Sequence, residues 1–199
     1  MPNIDLMNEF WKQIDGKLSR GLLTKTLDEL RNQYYKYCIK KSGEEIADQI
    51  AQVDFTTFRE KVGLALKRII EKELPKSQKE NEPVKACLFE YDPCNKWYTG
   101  FYLCLEYAKA KNKDDDWAGE WKKDVKGPRV PSFAKMKIDE NFGVKENSLG
   151  AYVYAHARVV IEFTQACREF TSPVPICIGY HDQSGVSRVF PDSYFNLDS

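Results

Sequence analysis

Apolar residues in the first third of the chain recur at three- and four-residue steps, the spacing of one helix face. Leu6, Met7, Phe10, Trp11, Ile14 and Leu18 predict an amphipathic helix over 4–19, with Gly21 as a stop or hinge. Leu23, Leu27, Leu30, Tyr34 and Tyr37 or Cys38 form the stripe of a second helix over 22–41, and Gly43 sits just past its end. Thr57 and Glu60 have capping-box spacing. They precede Phe58, Val62, Ala65, Leu66, Ile69 and Ile70, one face of a third helix that Pro75 closes. Residues 76–83 (KSQKENEP) form a polar linker.

Beyond the linker the period falls from about 3.6 to 2. Residues 84–91 (VKACLFEY) predict a strand, and residues 92–95 (DPCN) carry turn chemistry, with Asp first and Pro next. Residues 97–107 (WYTGFYLCLEY) predict a long aromatic strand that returns as a hairpin. Trp97, Phe101, Leu103 and Leu105 share one face of it; Tyr98, Tyr102 and Cys104 make the other. Residues 114–125 read as a short helix with its acidic trio at the start and Trp117, Trp121 and Val125 on one stripe. Residues 129–147 are irregular. A last helix spans 148–170, with Leu149, Val153, His156, Val160, Phe163, Cys167 and Phe170 as its seam. A short buried strand at 174–180 (VPICIGY), a loop at 181–185 (HDQSG) and an edge strand at 186–190 follow.

Strands and helices do not alternate strictly, which predicts an α+β fold. The expected architecture is a mostly antiparallel sheet of three to five strands, with a helical N-terminal third and a long C-terminal helix packed on it. One domain over 1–199 accommodates this, with a helical part at 1–75 and a sheet-containing part at 84–199.

Charge narrows the function classes. Thirty basic and thirty acidic residues cancel, so the basic excess of a nucleic-acid binder is missing and no nucleic-acid partner is expected. Neutrality leaves nothing to repel neighbouring copies, which keeps a protein partner or a homo-oligomer in view. No apolar run reaches the ~18 residues of a membrane span. Six scattered cysteines and a start without a signal core predict buried, reduced thiols and a cytoplasmic protein.

Candidate chemistry is sparse. Glycine-rich phosphate loops, the dinucleotide fingerprint and CxxC pairs are missing, and there are only two histidines, so neither a cofactor nor a metal is expected. His156 falls on the apolar seam, where a satisfied core-edge imidazole is the simpler reading and a general base the sharper one. His181 follows a buried strand, and its loop supplies Asp182 and Ser184. With Cys94, Cys177 or Ser184 it could form a nucleophile–base pair, although HDQSG is also an ordinary polar turn. Asp114, Asp115 and Asp116 are better explained as helix capping than as cation ligands. The strongest signal is aromatic: Trp97, Tyr98, Tyr102, Trp117 and Trp121 cluster in sequence beside that acidic trio. Some must fill the core, and any left outside have the profile of protein-interface anchors.

The layout resembles small bacterial proteins of unknown function that include the immunity proteins of polymorphic toxins. The segments LFEYDPCNKWYTGFYLCLEY and PVPICIGYHDQSG, after a helical N-terminal third, carry this resemblance. It implies a non-catalytic cytosolic protein that binds and neutralises another protein. A binding module of this kind is expected to expose an aromatic and acidic patch drawn from Asp92 to Asp124. The alternative is a small hydrolase or transferase using His181.

Overall fold

The computed structural model describes residues 4–109, 116–131, 133, 146–181 and 186–195. The chain has an α+β architecture and divides into two units. The first comprises Met1–Phe55 and Pro131–Glu162; the second comprises Thr56–Val130 and Phe163–Ser199.

In the first unit, α1 (Ile4–Trp11) runs through a π-helical stretch, Lys12–Leu18, into α2 (Ser19–Thr24). The apolar stripe buries Phe10, Ile14, Leu18 and Leu22. Gly21 neither stops nor hinges this run. A Cβ there would lie 2.6 Å from Leu30 Cδ2, so the glycine makes room for a buried leucine. The break comes instead at extended Lys25. Thr26 then caps α3 (Leu27–Ser42): its hydroxyl accepts from the Glu29 amide at 3.2 Å, and the Glu29 carboxylate accepts from the Thr26 amide at 2.8 Å. The single helix expected over 22–41 is therefore two. Gly43, at φ +97°, separates α3 from α4 (Glu44–Ala51), which has no counterpart in the periodicity reading.

The long helix α7 (Leu149–Cys167) contributes its residues up to Glu162 to this unit. Its N-terminus lies close against α3. The Ser42 hydroxyl accepts from the Ala151 amide at 3.0 Å, and a Cβ on Gly150 would come within 3.1 Å of the Cys38 carbonyl oxygen. About two turns further on, Arg158 is buried and reaches the end of α4. Its guanidinium donates to the carbonyls of Ile50 (3.2 Å), Ala51 (2.8 Å) and Val53 (3.2 Å) and lies over the Phe55 ring. The Ile50 and Ala51 carbonyls belong to the last turn of α4, whose carbonyls lack intrahelical partners, and Val53 follows it. Glu162, also buried, bridges Arg158 Nε at 3.5 Å and Arg31 Nε at 3.1 Å.

The second unit holds α5 (Thr56–Arg68), which continues through a π-helical stretch into α6 (Leu74–Ser77), and a five-stranded sheet in the order β3-β2-β1-β4-β5. The strands are β1 (Ala86–Asp92), β2 (Tyr98–Cys104), β3 (Trp121–Lys126), β4 (Ile176–Tyr180) and β5 (Val186–Arg188). The β1–β2, β2–β3 and β4–β5 pairs are antiparallel, while β1–β4 is parallel. One face packs Phe89 and Phe101 against Phe163 of α7, with Phe89 and Phe163 stacked at 4.3 Å and Phe58 of α5 set edge-on to Phe89. Residues 121–126 are strand, not helix. The 117/121/125 stripe suited a helix, but Gly119 ends a single 3-10 turn, and the open hydrogen-bonding edge of β2 takes up the next six residues. Three lysines and a register shift against Leu103/Cys104 mark β3 as a guarded edge.

Removing the Glu162 charge leaves two guanidinium groups facing each other around a buried site. Breaking a buried pair from one side costs about 3–5 kcal/mol. Glu162→Gln is expected to lower the urea midpoint by a loss of that order with an unchanged slope, read by far-UV circular dichroism.

Candidate functional site

Strand alternation builds the site. Along β1, Ala86, Leu88, Glu90 and Asp92 project to one face, and Cys87, Phe89 and Tyr91 to the face that Phe163 covers. Directly opposed residues share a face. The register puts Tyr102 beside Leu88, Gly100 beside Glu90 and Tyr98 beside Asp92. On β3, Asp124 lies opposite Tyr102, Lys126 opposite Gly100 and Trp121 opposite Cys104. On β4, Gly179 flanks Glu90 from the other side. Glu90 thus stands between two glycines, Gly100 and Gly179, with no side chain directly beside it on either neighbouring strand.

This face has two zones. Toward one end, Ala86, Leu88, Cys104, Trp117, Cys177 and Val186 form a small buried cluster edged by Tyr102 and Tyr107. Arg188 pins its margin, donating to the Tyr107 hydroxyl at 3.1 Å and to the Ala108 carbonyl at 2.8 Å, while that hydroxyl bonds the Asp192 carboxylate. The other zone is open. Tyr98 and Trp121 are each 49% exposed, and Tyr102 is half-buried between them. Tyr102 leans over Gly100: its Cε2 and hydroxyl come within 3.3 Å of where a Cβ would stand. Trp121 meets it at 5.0 Å and 70°, so the two rings make a corner. Burial raises the Tyr102 pKa, and the nearby charges of Glu90 and Asp124 add to the rise.

His181 joins the open zone. Its amide donates to the Tyr91 carbonyl at 3.0 Å, and its Nδ1 contacts the Glu90 carboxylate. The His181 side chain is 44% exposed and that of Glu90 22%. Among the described residues the Glu90 carboxylate is a partner of this imidazole. Asp182 and Ser184 lie outside the described residues, as do Asp114 and Asp115, and the side chains of Cys94 and Asp116 are likewise outside them. Cys38, Cys87, Cys104, Cys167 and Cys177 are buried thiols. Burial pushes Cys38 and Cys104 up to about 12 and raises Cys87 and Cys167 as well, which makes them poor nucleophiles.

The aromatic cluster read from the sequence separates in space. Tyr98, Tyr102 and Trp121 gather on the open zone. Trp117, 5% exposed, turns inward against Tyr107 at 5.1 Å and belongs to the buried cluster. Trp97 is half-buried at the hairpin turn. Lys96 and Trp97 hold φ of +53° and +57°, uncommon for side chains of this bulk, and the Trp97 ring lies parallel to Tyr91 at 6.2 Å. Glu90 escaped the sequence reading, although it left a trace, a carboxylate within the apolar run of β1. Asp124 entered that reading only as the end of the 92–124 patch, while residues 114–125 read as helix. Among the described residues no group of three or more His, Cys, Asp or Glu side chains is placed to hold a metal, and no helix is long and apolar enough to cross a membrane.

Scans against protein-family models, curated proteins and solved structures found no match to this chain.

His156 is fully buried in the first unit beside Phe10 (4.9 Å) and Tyr152 (4.5 Å). Burial lowers its pKa to about 3, so the folded chain keeps it neutral while the unfolded chain protonates it near 6.5. Between these values the unfolded state binds more protons, and stability falls with acidification by up to about 1.4 kcal/mol per pH unit. His156→Gln is expected to remove that slope between pH 6 and pH 4, whatever its effect on absolute stability. Urea titrations of both proteins across that window check it.

Proposed function

We propose that this chain is a non-catalytic protein-binding module, of the immunity type that binds and neutralises one partner protein. The observation that supports it is the open zone of the sheet, where Tyr98 and Trp121 stand half in solvent beside Tyr102 and charged groups. Large amphipathic rings exposed on a rigid strand surface lose little conformational freedom on binding, the property that makes Tyr and Trp interface anchors. The anchoring residues are Tyr98, Tyr102 and Trp121; Trp117 belongs to the buried cluster beside them. A protein that works by binding needs no nucleophile, and the high thiol pKa values accord with that.

Capture from the native cell tests this. The tagged chain is expected to retain one stoichiometric protein, and Tyr98→Ala with Trp121→Ala to lose it while melting as the parent does. Hot-spot anchors of this type are each worth about 2 kcal/mol or more, so the double variant weakens binding at least a hundredfold. Equal retention by parent and variant would remove this face from the interface.

The contact between His181 Nδ1 and Glu90 supports a second reading, a small hydrolase or transferase. A carboxylate that holds one imidazole nitrogen orients the other for general-base work. Turnover in a panel of esters and phosphoesters, lost in His181→Ala, is its expected signature. A panel without turnover by the parent chain counts against it.

A further inference from the structure

We infer that the corner formed by Tyr102 and Trp121 takes an arginine side chain presented by the partner protein. This rests on the protein-binding reading and names the chemistry of its partner.

The argument begins with the rings. Tyr102 and Trp121 meet at 70° with centroids 5.0 Å apart, and Trp121 is 49% exposed. Ring faces carry partial negative charge and attract cations, most strongly at tryptophan. The charges around the corner add to this. Asp124 is exposed and lies directly opposite Tyr102 on β3. Glu90 is on the other side, on β1, and both carboxylates act on the Tyr102 hydroxyl. Asp92 stands opposite Tyr98 at the end of the same face. The neighbouring lysines do not cancel this group. Lys122 is turned to the Glu80 carboxylate and the Glu82 carbonyl, and Lys123 to Glu73 at 2.7 Å. Among the described residues this face also carries two cations: Lys126, opposite Gly100, and Arg188, which is turned to the Tyr107 hydroxyl, the Ala108 carbonyl and Asp192.

Flat aromatic surface next to carboxylates selects guanidinium over ammonium. A guanidinium stacks on a ring and at the same time donates in its own plane to carboxylate oxygens, whereas an ammonium is a strongly hydrated point charge. Strand addition at the β3 edge is disfavoured by its three lysines and its register shift, so the partner is met by the face and not by the backbone.

The test uses the whole chain and three capped peptides of equal length, alternating Gly with Arg, Lys or Glu. Binding is followed by isothermal titration at physiological salt and by tryptophan fluorescence, with Trp121→Phe as the spectral control. The arginine peptide is expected to bind, the lysine peptide several-fold more weakly, and the glutamate peptide not at all. Asp124→Asn and Trp121→Ala are each expected to weaken the arginine peptide by about threefold or more, and Lys79→Gln, on the 76–83 linker, to leave it unchanged. Both altered side chains are exposed, and thermal melts confirm that each variant is folded. Equal binding of arginine and glutamate peptides, or no response to Asp124→Asn and Trp121→Ala, overturns the assignment. Cellular capture stays a separate readout. A partner lost with Tyr98→Ala and Trp121→Ala but indifferent to Asp124→Asn leaves the binding module standing and overturns the arginine.

Discussion

The register of β1 between its two neighbours is the constraint on which the site depends. Seven cross-strand pairs with β2 and five with β4 fix which side chains rise on the open face. A slip of one residue on either side would turn Phe89 and Tyr91 outward and Glu90 into the packing against Phe163. The hairpin helps hold that register. Asp92 accepts from the Asn95 amide at 3.1 Å, and Lys96 and Trp97 take up the left-handed backbone that brings the chain round. Strain at the turn and accuracy on the face are two sides of the same arrangement.

The first unit is organised by a buried charge. Arg158 does for α4 what a cap residue does at close range, and it does so from α7, more than a hundred positions away in sequence. Glu162 keeps that guanidinium compensated and brings Arg31 of α3 into the same group. Three helices are thereby joined through one carboxylate. Apolar packing alone would tolerate small rotations of those helices; a guanidinium with three carbonyl partners does not.

Much of the fold was legible in the residues. Long periodic runs announced α5 and α7, a period of two announced β1 and the aromatic β2, and a short apolar run after two prolines announced β4, because these patterns are ones that short-range reading can detect. Failures occurred where the deciding interaction is non-local or brief. The Thr26–Glu29 box is a local signal that a continuous apolar stripe concealed. Gly21 reads as a breaker until Leu30 is known to lie against it. Residues 121–126 take their conformation from β2, which no window around Trp121 contains. The site was half visible for the same reason. Exposed aromatics could be anticipated as a class, but which of Trp117 and Trp121 turns inward depends on where the helix-like stripe gives way to strand. Glu90 and His181 are ninety-one positions apart and meet only through the parallel pairing of β1 with β4.

The two-residue repeat of β2 has a consequence for how such a protein can change over generations. Phe101 and Leu103 are buried on the face that packs against Phe163, whereas Tyr98, Gly100 and Tyr102 lie on the open face. If the open face is an interface, as proposed, neighbouring codons along one short strand come under separate pressures. A lineage confronted with an altered partner can revise every second residue and keep its scaffold, so recognition can diversify quickly while the architecture stays as it was.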